Sequence, residues 1–339
     1  MTMTMNDRRW MDYAQQLGRR AMGTTAENPN VGCVIVRDGR LLGVGWTQTG
    51  GRPHAEMEAL AMAGAAARGA TAYVTLEPCA HHGRTGPCAV ALAKAGLARV
   101  VVAIEDPDPR VSGQGLVILR AAGITVELGE GADQARRDMA GFLSRIVRRR
   151  PYVTLKLALS ADQKIAARPG EETAITGPEA RARVHLLRAQ NDAILVGMGT
   201  VRADDPELTC RLSGLDSRSP KPFVLGHGPL RPSSKLAARG AEIVAGPLLP
   251  ILESMAARGI NRLMVEGGAR TARAFLEAGL VDEFQLYQAP AKLGPEAVDA
   301  LAGLSLRDAL QPFILREQET LGADHLSVYE RAVLFNSSP

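Results

Sequence analysis

Residues 71–79 read Thr-Ala-Tyr-Val-Thr-Leu-Glu-Pro-Cys, a β-rich run that ends in the turn Glu77-Pro78-Cys79. An Ala/Met/Leu-rich segment over residues 54–67 predicts a helix before this run, and residues 87–95 predict a helix after it. Helical and strand patterns alternate in the same way on both sides of the stretch. Such alternation predicts an α/β fold in which helices cover both faces of a sheet.

The alternation extends over nearly the whole chain. In the first half it predicts helices over 8–22, 112–122 and 131–146, and strands over 31–36, 41–46, 99–104 and 124–127. In the second half it predicts strands over 152–159, 193–196, 222–226, 261–265 and 282–288, and helices over 178–190, 250–258 and 269–278. The run Arg148-Arg149-Arg150-Pro151 predicts a solvated hinge. We therefore expect two domains, residues 1–147 and 148–339.

The composition excludes several classes of protein. The chain has 339 residues, 46% of them hydrophobic and 22% charged, which suits packed cores and not a disordered chain. The net charge of +4 fits an anionic small molecule as well as a nucleic acid, so it decides neither. Four cysteines give no disulfide framework, and no apolar stretch approaches the ~20 residues of a membrane span. We expect a reduced, cytoplasmic protein.

One imidazole and two thiols carry the chemistry of the first half. His54, Cys79 and Cys88 are ligand types that suit zinc, and Glu56 adds a carboxylate that is not needed to hold the metal. Structural zinc is usually closed by four protein ligands, whereas catalytic zinc keeps one position for water. Three ligands with a nearby acid therefore predict a metal that activates water, with Glu56 as the catalytic residue that transfers the proton.

Two other interpretations of these residues stay open. The site could be a structural zinc site, or His81 or His82 could be a fourth ligand that closes it. The loop 80–87 carries both of these histidines and Arg84, groups that would suit a phosphate on the substrate.

Residues 28–34, 54–56, 75–88 and 106–109 resemble the bifunctional riboflavin-biosynthesis pyrimidine deaminase/reductase family. The resemblance implies a cytidine-deaminase-like three-layer αβα domain, followed by a dihydrofolate-reductase-like α/β domain. It further implies that zinc on His54, Cys79 and Cys88 activates water to attack an amine-bearing carbon of a phosphoribosylaminopyrimidine. Glu56 would carry the proton to the departing ammonia.

Residues 156–162, 187–190, 199–211 and 265–268 resemble the reductase domain of the same family, which uses NADPH. The resemblance implies that NADPH is bound by Ala158, Thr200, Asp204, Gly268, Ala269, Arg270, Thr271, Ala272, Arg273 and Ala274. It implies that the substrate is bound by Arg188, Leu208, Arg211 and Glu266, with the arginines on the ribosyl phosphate. From the residues alone, Arg188 could equally be a surface charge and Asp204 a turn residue.

The second half also departs from the family pattern. Gln163 stands where the family has glycine, Glu172 where it usually has serine, and Ala174 where it usually has tryptophan. The stretch 212–265 is shorter than usual, and its residues 224–228 lack the customary Asp-Ser.

These observations favour a two-domain enzyme that deaminates and then reduces a riboflavin precursor. Three alternatives remain: a deaminase whose second half is a degenerate dimer scaffold, a nucleic-acid-editing module, and a zinc-stabilised binding protein. No aromatic-studded basic stripe favours nucleic acid. We expect zinc and NADPH as cofactors, a small-molecule substrate, no nucleic acid or membrane partner, and a homo-oligomer, most simply a dimer.

Overall fold

The computed structural model describes residues 5–81, 86–109, 111–171 and 173–332 of the chain. The chain divides into two compact units, Met1–Arg149 and Arg150–Pro339. None of the helices in the described ranges is long and apolar enough to cross a membrane.

Unit 1 contains one five-stranded sheet within its described residues. The strands are β1 (Gly32–Arg37), β2 (Arg40–Trp46), β3 (Thr71–Val74), β4 (Arg99–Val102) and β5 (Thr125–Leu128), in the order β2-β1-β3-β4-β5. The helices are α1 (Met5–Arg19), α2 (Ala55–Ala63), α3 (Cys88–Ala95), α4 (Gln114–Ala121), α5 (Ala132–Asp138) and α6 (Ala140–Arg148). β1 pairs antiparallel with β2 and β3, whereas β3, β4 and β5 are parallel.

Helices α1 and α2 pack on opposite faces of this sheet. A Cβ added at Gly32 would collide with the carbonyl oxygen of Ala14 on α1, and one at Gly45 would collide with that of Ala55 on α2. Gly45 pairs with Cys33, the strand neighbour of Gly32. Since successive residues of a strand point to opposite faces, the sheet lies between the two helices. The predicted three-layer arrangement of the first half is therefore confirmed.

Unit 2 is built on an eight-stranded sheet of order β10-β9-β8-β11-β6-β12-β15-β14. These strands are β6 (Tyr152–Leu159), β8 (Ala193–Gly197), β9 (Lys221–Leu225), β10 (Glu242–Val244), β11 (Arg262–Val265), β12 (Glu283–Gln288), β14 (Phe313–Leu321) and β15 (Asp324–Arg331). A small second sheet pairs β7 (Lys164–Ala166) with β13 (Val298–Asp299). The helices are α7 (Pro178–Ala189), α8 (Met198–Asp204), α9 (Lys235–Ala238), α10 (Leu248–Ala257), α11 (Ala269–Glu277) and α12 (Leu306–Leu310).

The six strands from β10 to β12 are parallel, and both faces of this sheet are buried. On β8, Ala193 and Leu195 belong to one apolar cluster while Ile194 and Val196 belong to the other. Both clusters contain fully buried side chains, as expected for a parallel sheet with helices on each side. The α/β prediction for the second half is confirmed.

Most predicted elements are present, with differences at their ends. The helix predicted over 131–146 is interrupted at Met139, whose backbone (φ −100°, ψ 15°) is not helical. The strand predicted over 71–76 ends at Val74, and the helix predicted over 54–67 becomes a 3₁₀ turn at Gly64–Ala67. The sequence patterns missed the C-terminal hairpin β14–β15, because the residues of β14 are nearly all exposed and polar ones interrupt any apolar alternation.

The prediction of a solvated hinge is wrong for Arg150. Its guanidinium is buried and donates two hydrogen bonds to the Asp282 carboxylate, at 2.6 and 2.7 Å. Asp282 Oδ2 also accepts the backbone N–H of Val153 at 2.9 Å. A planar guanidinium matches a carboxylate at two points, so this arginine anchors the start of unit 2 instead of lying in solvent.

Candidate active sites

The start of helix α2 positions the histidine and the glutamate of the candidate metal site in unit 1. His54 is the residue before the helix, with extended backbone (φ −72°, ψ 158°), and Glu56 lies in the first turn. The packing of α2 against Gly45 of β2 holds this helix start close to the sheet. Negative charge near a helix start is favoured by the exposed N–H groups and by the helix dipole.

The two cysteines approach the same point from other elements. Cys79 lies in the turn after β3, and Cys88 is the first residue of α3. The backbone N–H of Cys88 donates to Cys79 Sγ at 3.3 Å, and the N–H of Ala89 donates to the Cys79 carbonyl oxygen at 3.2 Å. The eight residues between the cysteines therefore do not prevent both sulfurs from facing His54.

The three donor atoms fit a single metal ion. Cys79 Sγ lies 3.7 Å and Cys88 Sγ lies 3.4 Å from His54 Nδ1, and all three atoms lie within 4.8 Å of one another. Sulfur and nitrogen ligands bound tetrahedrally to zinc, at about 2.3 and 2.1 Å, stand roughly 3.6 Å apart. The donor set, its spacing and its burial all suit zinc.

The described residues offer no fourth ligand in this group. The potential metal group consists of His54, Cys79 and Cys88 alone, and His81 is exposed outside it. The other candidate, His82, and Arg84 lie outside the described residues. Among the described residues, the donor set therefore has three members.

Glu56 lies buried beside the donor atoms. Only 4% of the residue is exposed. Burial, followed by the charge of Cys79, raises the pKa of Glu56 to about 7. A hydrogen bond with Cys88 lowers the pKa of Cys79 to about 4, which favours the thiolate that a metal needs. A carboxyl group at this position is placed to accept and to donate a proton.

Sequence reasoning gave no role to Glu77, which organises the turn before Cys79. Its buried carboxylate accepts four backbone N–H groups, at 2.7 to 3.4 Å, from Asp106, Gly113, Gly115 and Leu116. A Cβ at Gly115 would collide with the carbonyl oxygen of Pro78, so the segment lies directly against the cysteine turn. No short-range pattern links Glu77 to residues 29 to 39 positions later.

Unit 2 contains a cavity of about 910 Å³ at the carboxyl ends of its parallel strands. Residues from β6, β8 and β9 line it, together with Glu266 directly after β11, residues of α7, and the turns that begin α8 and α11. Open parallel sheets bind ligands at this edge. The cavity holds all four residues expected to bind substrate: Arg188, Leu208, Arg211 and Glu266.

Most residues expected to bind NADPH also line this cavity: Ala158, Thr200, Asp204, Gly268, Ala269, Arg270 and Thr271. Ala272, Arg273 and Ala274 do not line it, because they lie farther along α11. Ala272 is fully buried, and Arg273 points to Glu277 and to the carbonyl oxygen of Ala302.

From the sequence alone, Arg188 could have been a surface charge, and the structure excludes this alternative. Its guanidinium donates to both carboxylate oxygens of Glu266 at 2.9 to 3.0 Å and to the Thr209 carbonyl oxygen at 3.0 Å. Lys156 Nζ lies 3.5 Å from Glu266 Oε1 and was missed as a candidate. Burial raises the pKa of Glu266, but the charges of Lys156 and Arg188 outweigh this effect and hold that pKa below its usual value.

The glycine turn before α11 brings backbone close to the cavity. The N–H of Gly268 donates to Thr200 Oγ1 at 3.1 Å, which ties the start of α11 to α8. A Cβ at Gly267 would lie 2.7 Å from Thr271 Cβ, too close for any side chain there. Such a turn allows backbone amides to approach a phosphate closely.

The residues that depart from the family pattern lie at different places. Ala174 lines the cavity, where tryptophan would fill more of it. Gln163 has a left-handed backbone (φ 61°), which explains why glycine suits this position. Glu172 lies outside the described residues.

Family models match both halves of the chain. One, the RibD C-terminal domain, matches residues 151–325, more than half of the chain. The other, the cytidine and deoxycytidylate deaminase zinc-binding region, matches residues 4–104. The matches agree with the zinc-type donor set in unit 1 and the cavity in unit 2.

Relatives resemble the chain over nearly its full length. It is 42% identical to the riboflavin biosynthesis protein RibD of Escherichia coli (strain K12), over 94% of this chain and 98% of that protein. It is 37% identical to the protein of the same name from Aquifex aeolicus, over 96% of this chain and 98% of that protein.

Two solved structures agree in fold as well as sequence. Acinetobacter baumannii RibD, form 1, has a TM-score of 0.89 and 40% identity, and covers 96% of this chain and 99% of its own. A diaminohydroxyphosphoribosylaminopyrimidine deaminase/5-amino-6-(5-phosphoribosylamino)uracil reductase from Thermotoga maritima has a TM-score of 0.88 and 31% identity, with the same coverage. The family and the fold classes predicted from the sequence are confirmed: the chain belongs to the RibD family of riboflavin biosynthesis proteins.

Proposed function

We propose that the chain catalyses two consecutive steps of riboflavin biosynthesis. The first is the hydrolytic deamination of 2,5-diamino-6-(5-phosphoribosylamino)pyrimidin-4-one, and the second is the NADPH-dependent reduction of its ribosyl group to ribityl. We assign the first step to residues 1–147 and the second to residues 148–339. The observation that carries the proposal is the group of His54, Cys79 and Cys88 beside the buried Glu56.

For the deamination, His54 Nδ1 and the sulfurs of Cys79 and Cys88 would hold zinc. When bound, this metal lowers the pKa of a water molecule and so makes it a better nucleophile. Glu56 takes a proton from the water and delivers it to the leaving amine, so that water and the amine-bearing carbon yield a carbonyl and ammonia. Its buried position beside the donor atoms suits both halves of this transfer.

For the reduction, the cavity of unit 2 would place NADPH against the ribosyl carbon. NADPH supplies a hydride, and a proton from solvent or substrate completes the reduction. The turn at Gly267 and Gly268 brings the start of α11 close to the cavity, where the helix dipole favours the cofactor phosphates. Glu266, fixed by Arg188 and Lys156, lies at the β6 side of the cavity and can accept hydrogen bonds from ribosyl hydroxyls.

The domain composition favours both activities over a deaminase with a degenerate second half. A zinc-binding deaminase region and a RibD C-terminal domain occur in one chain, and the predicted substrate residues share one cavity.

For assembly, we propose a homodimer in the cytoplasm, which follows from the family resemblance alone. Sedimentation velocity of the purified chain tests the dimer.

Mass-spectrometric product analysis tests the function. Without NADPH, the diaminopyrimidine substrate should lose ammonia and gain a carbonyl oxygen, and with NADPH the product should gain two further hydrogens. Ammonia release without any NADPH oxidation would leave only the deaminase. If zinc-loaded protein forms neither of these products, the proposal is refuted.

A further inference from the structure

Three basic side chains of α7 line the cavity of unit 2. They are Arg181, His185 and Arg188. Their spacing of four and three residues places them along one face of the helix. Arg211, from the segment after α8, lines the cavity as well. This corner of the cavity is therefore rich in cationic groups, which suits an anionic part of a ligand.

A backbone carbonyl group fixes the ring of His185. Its Nδ1 lies 3.0 Å from the Thr209 carbonyl oxygen, which also accepts a hydrogen bond from Arg188 Nη1 at 3.0 Å. Because a carbonyl oxygen can only accept, this contact places a proton on Nδ1. The backbone N–H of Arg211 competes for Nδ1, but at 3.4 Å it makes the weaker contact. The imidazole and the guanidinium of Arg188 are thus held next to each other on one oxygen.

The other ring nitrogen of His185, Nε2, is available to a ligand. Among the residues that the structure describes, none forms a hydrogen bond with Nε2, and the residue is only half-buried. A histidine whose Nδ1 carries a proton presents Nε2 as an acceptor when the ring is neutral and as a donor when the ring is protonated. The chemistry that His185 offers to the cavity therefore depends on its protonation.

Arg211 contacts the same threonine as His185. Its Nη1 donates to Thr209 Oγ1 and to the Glu207 carboxylate, each at 3.2 Å, and 54% of its side chain is exposed. The guanidinium of Arg188, in contrast, is buried and bonded to both oxygens of Glu266. Of the two arginines, Arg211 therefore has more of its charge available to a ligand.

The surroundings of His185 keep its ring neutral in the ligand-free protein. Burial, followed by the charges of Arg188 and Arg211, lowers the pKa of His185. A backbone hydrogen bond and the charge of Glu266 oppose this shift by a smaller amount. Glu207, the other acid that lines this corner, is paired with Arg211. An anion bound here would compensate the arginine charges and so favour the protonated ring.

We infer that His185 Nε2 binds the ribosyl phosphate of the reductase substrate beside Arg211, and that the ring takes up one proton as this phosphate binds. The inference rests on the proposed function, since it takes the cavity to be the reductase site. A phosphate dianion offers only acceptor oxygens, so Nε2 can donate to it only from the protonated ring. The proton comes from solvent, and no covalent bond to carbon or phosphorus changes.

Proton uptake makes substrate binding depend on pH. Because the pKa of His185 is low in the free protein and higher in the complex, binding takes up a proton at every pH between these two values. In this range the affinity for the substrate falls as the pH rises, by at most about ten-fold per pH unit for one proton. Above about pH 7 the phosphate is already largely a dianion and adds little to this dependence.

Steady-state NADPH oxidation by the full zinc-loaded chain, supplied with the deaminated substrate from about pH 7 to 8.5, tests the inference. In the wild type, we expect KM to rise with pH, by up to about ten-fold per pH unit, while kcat changes little. H185Q can donate an amide N–H to the phosphate without taking up a proton, so its KM should lose this dependence. H185A should raise KM at pH 7 about ten-fold. H325Q, which affects an exposed histidine of β15, is the control and should keep the wild-type profile.

A substrate without the phosphate distinguishes a contact with phosphate from an effect on neighbouring residues. With the dephosphorylated substrate, H185A and the wild type should have the same KM, since the group that His185 binds is absent. Equal impairment of H185A with both substrates, or a wild-type pH dependence in H185Q, would overturn the inference and leave the reductase function standing. Wild-type protein that oxidises no NADPH would overturn both. If thermal unfolding shows that H185A is less stable than the wild type, the pH dependence of KM in H185Q decides.

Discussion

At the scale of single residues, position decides which acid can take part in chemistry. Glu56 and Glu58 lie two residues apart on α2, yet Glu56 is buried beside the donor atoms and Glu58 is only half-buried. The sequence predicted the role of Glu56 from its distance to His54, because two residues at the start of a helix fix the local geometry. It could not predict the raised pKa, which depends on burial under other elements.

Substitution E56Q should retain zinc and lose deamination. The amide keeps the size of the side chain but cannot accept the proton from water, so we expect ammonia release to fall by about 10²- to 10⁴-fold. Ammonia assays and elemental analysis of zinc measure the two effects. E58Q on the same helix is the control and should stay near wild type. Full turnover in E56Q would refute the assigned role.

Substitution E266Q should impair the reductase and spare the deaminase. It leaves the buried charge of Arg188 without its carboxylate, so the free energy of unfolding of unit 2 should fall by about 3 kcal/mol. Because the folded-state pKa of Glu266 is lowered, its contribution is present at neutral pH and lost as the pH falls below the ordinary glutamate range. Denaturant unfolding at pH 7 and pH 3 measures this, and equal stability of E266Q and wild type at pH 7 would contradict it.

At the scale of elements, turns and long-range contacts account for what sequence patterns missed. The predicted strands and helices of the parallel sheets agree with the structure because buried apolar runs and helical periodicity are local signals. The contacts of Glu77 with Asp106 and Gly115, and the hairpin β14–β15, depend on pairing between distant or exposed segments. Local sequence patterns do not predict such pairing.

Substitution E77Q should loosen the support of the cysteine turn. An amide presents one acceptor oxygen and a donor group in place of two acceptor oxygens, so some of the four N–H groups stay buried without a partner. We expect unit 1 to lose about 2 kcal/mol or more of stability. Urea unfolding measures the loss. E105Q, which affects an exposed side chain bonded to Ser112, should leave stability unchanged.

Substitution Q163G should stabilise the turn between β6 and β7. Gln163 has φ 61°, a conformation that costs a side-chain-bearing residue about 1 kcal/mol or more and glycine little. We expect the free energy of unfolding of unit 2 to rise by up to about 1 kcal/mol, as read from chemical denaturation. Q190G, at φ −96°, is the matched control and should destabilise. A loss of stability in Q163G would show that the side chain has contacts that outweigh the strain.

At the scale of the whole molecule, two sites of different chemistry occur in one chain. The zinc-type donor set could be predicted from sequence because His54, Cys79 and Cys88 are rare residue types at recognisable spacings. The reductase cavity was less predictable, since it is assembled from the ends of four strands that are far apart in sequence. The ion pairing of Arg188 with Glu266 and the contribution of Lys156 became clear only from the fold.

Anomalous diffraction at the zinc edge from crystals of the full chain tests the central claim most directly. The account predicts one zinc peak in unit 1, about 2.0 to 2.3 Å from His54 Nδ1 and from the sulfurs of Cys79 and Cys88, with no other protein atom bound. A fourth side chain on the metal, or no zinc in active protein, would contradict a site that keeps one position for water.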